Sequence, residues 1–61
     1  MTGDPTTDLL ALAAESLGKA YNAMVGALAV RELDPERAGR MLDLALLESS
    51  EAVESLREAV R

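Results

Sequence analysis

The chain has 61 residues, a net charge of −5, and neither cysteine nor histidine. This length leaves room for one small domain, 1–61, because a chain of about 60 residues buries only about 60% of the surface that it exposes when unfolded. The missing residue types exclude disulfides, thiolate nucleophiles, Cys/His zinc sites and imidazole acid–base catalysis. We therefore expect a non-enzymatic protein that needs no metal or cofactor.

The apolar residues come from a narrow set that favours helices. They make up 49% of the chain and are mostly alanine and leucine, with no phenylalanine or tryptophan. Alanine and leucine are the strongest apolar helix formers, so the composition predicts an all-α protein. An acidic chain also repels nucleic acid and anionic lipid, unless its few cations converge on one face.

The chain begins with a polar segment, residues 1–8, that carries two acids and no base. This is unlike the basic start of a secretory signal, so we expect a cytoplasmic protein. The apolar stretch that follows, 9–30, is interrupted by Glu15, Lys19 and Asn22. Charges within the stretch disfavour a membrane span; a hairpin lying on the membrane surface stays as an alternative.

Two Asp-Pro pairs, at 4–5 and 34–35, divide the chain into two runs with helical spacing. Aspartate caps the free N–H groups at a helix start, and proline suits the first helical position. The residue before a proline also disfavours helix, so the first helix must end before Asp34. We predict helix 1 at about 5–32, a turn at 33–34 and helix 2 at about 35–60, which together form an antiparallel hairpin.

Each predicted helix carries an apolar stripe with steps of three and four residues. The stripe of helix 1 is Leu10, Ala14, Leu17, Tyr21, Met24 and Leu28, and that of helix 2 is Ala38, Leu42, Ala45, Ser49, Ala52, Leu56 and Ala59. The small residues of helix 2 would accommodate larger ones from helix 1, with Tyr21 filling the space beside Ala45 and Ser49. The predicted core residues are Leu17, Tyr21, Met24, Leu42 and Leu56.

A ridge of small residues also runs along helix 1. It consists of Ala14, Gly18, Asn22 and Gly26. Small residues four apart allow another helix to lie close, although glycine in a helix interior also costs about 1 kcal/mol relative to alanine. The ridge is therefore a candidate close-packing site, with simple loose packing or a kink as the alternatives.

The two helices are apolar on more than one side near the predicted turn. From Ala20 to Val30 the sole polar residue is Asn22, and from Met41 to Leu47 it is Asp43. A helix that is apolar nearly all round is buried nearly all round, and a chain this small without disulfides or metal is commonly stabilised by oligomerisation. The predicted interface residues are Val25, Ala29, Val30, Met41, Leu44 and Leu47.

We accordingly predict self-association of the hairpin into a four-helix bundle. A homodimer is the simplest assembly, with a tetramer or docking of another protein as alternatives. Such a chain would act as a protein–protein interaction module, for example a small adaptor, regulator or assembly factor. The acidic residues of helix 2, among them Glu48, Glu51 and Glu58, fit a charged outer surface, because they lie beside the predicted core stripe.

The predicted turn, Glu32 to Ala38, is similar to that of the Rop family of RNA-binding helical hairpins, which dimerise into four-helix bundles. This resemblance supports a dimeric bundle. It also implies RNA binding through a basic and polar outer face of helix 1, where only Lys19 and Asn22 fit that role here. A separate nucleic-acid patch near the turn, formed by Arg31, Arg37 and Arg40, is the alternative that the sequence leaves open.

A second resemblance, to tetratricopeptide repeats, involves Leu17, Gly18, Tyr21 and Ala29. Those repeats have a period of about 34 residues with a turn between their two helices. No turn signal other than Gly26 falls between Tyr21 and Val30. The spacing therefore does not support a repeat of this kind.

Overall fold

The computed structural model describes residues 4–61, which form two helices joined by a short turn. Helix α1 spans Pro5–Val30 and helix α2 spans Pro35–Ala59, and the two pack against each other as a hairpin. The backbone measures 46 × 20 × 11 Å along its principal axes, so both helices lie in one layer. The prediction of an all-α helical hairpin is confirmed for this part of the chain.

Both helices begin at the predicted Asp-Pro pairs. The Asp4 Oδ1 atom accepts a hydrogen bond of 3.0 Å from the backbone N–H of Thr6, and the Thr7 hydroxyl donates to Asp4 Oδ2. At α2 the Asp34 Oδ1 atom accepts a bond of 3.1 Å from the backbone N–H of Arg37. The bonds from Thr6 and Arg37 satisfy backbone donors that the first turn of a helix leaves unpaired.

The turn begins earlier than the sequence predicted. The backbone N–H groups of Leu33 and Asp34 both donate to the carbonyl oxygen of Val30, at 3.1 and 2.7 Å. This arrangement closes the end of α1 at Val30, two residues before the predicted residue 32. The reversal therefore uses residues 31–34 rather than 33–34, and α2 ends at Ala59.

Alanines alone form the buried contact between the helices, which we call the alanine seam. Its members are Ala13, Ala20, Ala23 and Ala27 of α1 and Ala38, Ala45 and Ala52 of α2. Alanines 13, 20 and 27 repeat every seven residues, as do 38, 45 and 52. A seven-residue repeat keeps one stripe of a helix facing its neighbour, and small side chains let two backbones approach closely.

The predicted core is wrong for its large side chains. Tyr21 is 64% exposed, and Leu17, Met24, Leu42 and Leu56 are exposed as well. On α2 the predicted stripe is correct at Ala38, Ala45 and Ala52, whereas Ala59 is only half-buried; on α1 the buried stripe is the adjacent one. The alanine seam brings the helices so close together that larger residues are displaced to the side of the contact.

Candidate interaction surface

Ten of the fifteen exposed large apolar side chains lie on one side of the hairpin, on a surface that we call the apolar face. It is lined by Leu10, Leu17, Tyr21, Met24 and Leu28 of α1 and by Leu42, Leu46, Val53, Leu56 and Val60 at the same side of α2. All ten are exposed. Helical spacing places each set along one stripe of its helix, next to the alanine seam. The chain thus leaves its largest apolar side chains in contact with solvent.

The apolar face is hollow near the turn. A cleft of about 570 Å³, the turn groove, lies there between the helices. Its lining consists of Met24, Ala27, Leu28, Arg31, Pro35, Ala38, Gly39 and Leu42. Arg31 supplies its only charge, and small residues belong to its lining. A second hollow continues from Met24 and Leu42 to Leu46 and Ser49 near the middle of the hairpin.

The opposite side of the seam has a different chemistry. A shallow depression there is lined by Leu12, Glu15, Ser16, Lys19, Glu48, Glu51, Glu54 and Ser55. We call this surface the charged face. Its carboxylates and its single ammonium group are well suited to contact with water, which is the usual environment of such groups. The two sides of one thin hairpin therefore favour different surroundings.

The predicted interface residues do not lie together. Val25, Ala29, Leu44 and Leu47 are exposed, whereas Val30 and Met41 are half-buried in the hairpin. At about 100° of rotation per residue, Leu44 lies on the side of the charged face, and Leu47 and Ala29 point away from the seam. The structure thus distributes these six residues around the molecule, and the apolar face is elsewhere.

The predicted ridge divides in a similar way. Ala14, Gly18 and Asn22 are exposed, and a side chain added at Gly18 would meet nothing within 4 Å. Gly26 differs, because an added Cβ atom there would lie 3.1 Å from the sulfur of Met41 in α2. Glycine at this position therefore makes room for Met41 within the hairpin.

The three arginines of the predicted nucleic-acid patch are exposed at the turn end. Arg31 borders the turn groove, on the side of the apolar face. The helical register turns Arg37 toward the side of the charged face and Arg40 toward the outer edge of α2. Within one copy of the chain, these guanidinium groups do not converge on a common site.

The described residues offer little reactive chemistry. Across residues 4–61, acidic side chains do not gather in groups of three or more that could hold a metal ion. Neither helix in that range has the length and hydrophobicity needed to cross a membrane. The surfaces of the hairpin are therefore its most informative functional feature.

Comparison with known proteins gives no relative: the chain matches no protein-family model, no curated protein and no solved structure. Sequence reasoning did not find the apolar face, because five of its ten residues were predicted to lie in the core: Leu17, Tyr21, Met24, Leu42 and Leu56. The seven-residue repeat of Ala13, Ala20 and Ala27 is the signal that would have found it. This repeat matches the alanine repeat of α2, which marks both stripes as the contact.

Proposed function

We propose that this protein is a non-enzymatic protein–protein interaction module that works as a homodimer, with two hairpins packed through their apolar faces into a four-helix bundle. The observation that carries the proposal is the exposed apolar face. The cytoplasmic location expected from the sequence is part of the proposal, and cell fractionation is its test.

The first support is the weakness of the hairpin's own core. Among residues 4–61 only alanines are buried, and burial contributes about 0.8 kcal/mol for each carbon group of this size. Ordering one residue of backbone costs about 1–2 kcal/mol, so larger apolar side chains must also leave water if the fold is to be stable. The apolar face supplies such side chains, and a partner that covers it would stabilise the hairpin.

The second support is the amount of exposed surface. The chain exposes 4707 Å². A compact monomer of 6.5 kDa exposes about 3800 Å² by the usual scaling of surface with mass. The excess of about 900 Å² is close to the roughly 800 Å² that each partner buries in a standard protein interface.

A second copy fits this surface better than a charged partner does. The apolar face has Arg31 at its edge and otherwise presents hydrocarbon, the thioether of Met24, one phenol and the hydroxyl of Ser49. An identical face matches it in hydrophobicity and length. Because each hairpin is one layer of two helices, 11 Å thick in its backbone, two layers face to face form a four-helix bundle.

Two adjacent leucines provide the test. Leu46 lies on the apolar face and is 70% exposed, and Leu47 lies outside it and is 57% exposed. We expect Leu46→Glu to give a monomer, because dimerisation would bury an unpaired carboxylate. We expect Leu47→Glu to keep the molar mass of the wild-type dimer in analytical ultracentrifugation, about 13 kDa, or twice the chain mass of 6.5 kDa.

The sequence-derived interface predicts the reverse result, because it contains Leu47 and not Leu46. A dimeric Leu46→Glu variant together with a monomeric Leu47→Glu variant would overturn our assignment. Tyr21 gives an independent measurement, since it is the only aromatic residue and belongs to the apolar face. Its fluorescence should be protected from iodide quenching in the wild type and in Leu47→Glu, and accessible in Leu46→Glu.

A further inference from the structure

The apolar face has different shapes at its two ends. Toward the turn it is concave, because small residues, Ala27, Ala38 and Gly39, belong to the lining of the turn groove. Toward the termini it carries large side chains, Leu10, Leu56 and Val60, all of them exposed. We call these three residues the terminal ridge. One face therefore contains both a groove and a ridge.

We propose that the two copies dock with their turns at opposite ends, so that the terminal ridge of each copy occupies the turn groove of the other. This inference rests on the proposed homodimer and adds its orientation. Both orientations are compatible with twofold symmetry, in which the same patch serves both copies. Shape is what distinguishes the two arrangements.

In the alternative arrangement the turns lie at the same end. The two turn grooves, each of about 570 Å³, would then face each other. Protein interiors are packed as densely as organic crystals, and an unfilled cavity loses the contacts of the atoms that line it. The opposite-end arrangement avoids this loss, because it brings large side chains to each groove.

The register of the hairpin supports the same arrangement. Ala45 of α2 clusters with Ala20 and Ala23 of α1, which sets the relative height of the two helices. Consider a twofold axis that lies in the interface, perpendicular to the helices, at the middle of the apolar face. This axis places α1 against α1 and α2 against α2. It sets Leu56 over Gly39 of the partner subunit, so the larger side chain meets the smallest residue of the groove.

The chain itself can accept such a neighbour at Gly39. A Cβ atom added there would meet nothing within 4 Å, so the space beside this glycine is open in the single hairpin. The same axis sets Leu10 over Leu28 of the partner subunit and Leu17 over its Tyr21. Large side chains thus meet along the middle of the bundle, and the groove is filled at each end.

Energy transfer between singly labelled chains tests the orientation. The protein has no cysteine, so Leu33→Cys and Arg61→Cys each create one labelling site. Both positions are well exposed, Leu33 in the turn and Arg61 after α2, and neither belongs to the apolar face. The hairpin is 46 Å long, so the two ends are readily distinguished with a short-range dye pair.

We expect little transfer when donor and acceptor are both at residue 33 and strong transfer when the donor is at 33 and the acceptor at 61. The opposite result would overturn the orientation and leave the dimer intact. Equal transfer in both pairs would also overturn it, because it requires mixed orientations. Absence of transfer in both pairs, with the molar mass of one chain, would instead overturn the proposed dimer.

Discussion

The two sides of this hairpin share the same pair of helices and the same alanine seam, yet they differ in what can cover them. The apolar face presents leucine, valine, methionine and tyrosine side chains to solvent, whereas the charged face presents glutamates and a lysine beside two leucines, Leu12 and Leu44. Because the seam buries only alanines, neither side contributes a large residue to the interior. In a hairpin built this way, one face remains free to act as the interface.

The largest expected effect comes from widening the seam on which both faces depend. Ala45 is buried between the helices, and Ala45→Leu would force the helices apart. Overpacking of a tight core costs about 1–3 kcal/mol, and we expect the upper end of this range because backbone must move. The measurement is the free energy of unfolding in urea, followed by circular dichroism at one protein concentration.

Ala29→Leu is the matched control for this change. Ala29 lies on α1 but is exposed, so the larger side chain of the variant extends into solvent and does not enter the alanine seam. We expect its free energy of unfolding to stay within about 0.5 kcal/mol of the wild-type value. Equal losses in the two variants would show that the seam is not the tight contact described above.

A smaller effect, on dimerisation, is expected when a glycine of the turn groove is replaced but not when a glycine of the ridge of small residues is replaced. Gly39 lines the groove and Gly18 belongs to the ridge, and both have open space beside them in the hairpin. We expect Gly39→Leu to weaken dimerisation at least tenfold, about 1.4 kcal/mol, because it fills the space that the partner needs. Gly18→Leu should leave the dissociation constant within a factor of three.

Sedimentation equilibrium over a concentration series measures both constants. Both substitutions replace a helical glycine with a better helix former, so a loss of helix would not account for weaker binding. If Gly18→Leu weakened the dimer and Gly39→Leu did not, the small-residue ridge would be the contact between copies, and the apolar face would lose its assignment.

The smallest effect is expected at the cap of α2, away from both faces. The Asp34 carboxylate accepts the backbone N–H of Arg37 at 3.1 Å. Asp34→Ala should lower the free energy of unfolding by about 1 kcal/mol, the usual cost of a lost N-cap. A free energy of unfolding equal to that of the wild type, measured at the same protein concentration, would contradict the role of Asp34 as a cap.

The local features of this fold were predictable from sequence. The Asp-Pro pairs located both helix starts, since capping and proline geometry act through nearest neighbours along the chain. The end of α1 was predicted two residues too late because two backbone N–H groups converge on the carbonyl of Val30. Whether the chain forms another helical turn after Val30 or reverses there depends on where α2 packs against α1, which is not a local property of the sequence.

The candidate surface was less predictable, and Tyr21 shows why. α1 carries two neighbouring apolar stripes, one of large residues through Tyr21 and one of alanines through Ala20. Periodicity alone gives both stripes the same spacing. Their assignment depends on the distance between the helices, because a close approach admits only the alanines and turns the larger side chains outward.

The amino-acid sequence by itself determined that this chain forms two capped helices in a hairpin with more apolar residues than one pair of helices can cover. Only the tertiary structure decided which of them are covered. The physical reason is that capping, proline geometry and helix propensity are local. The choice of a buried stripe is instead made jointly by two helices, through the alanines at 13, 20, 27, 38, 45 and 52 that let their backbones meet.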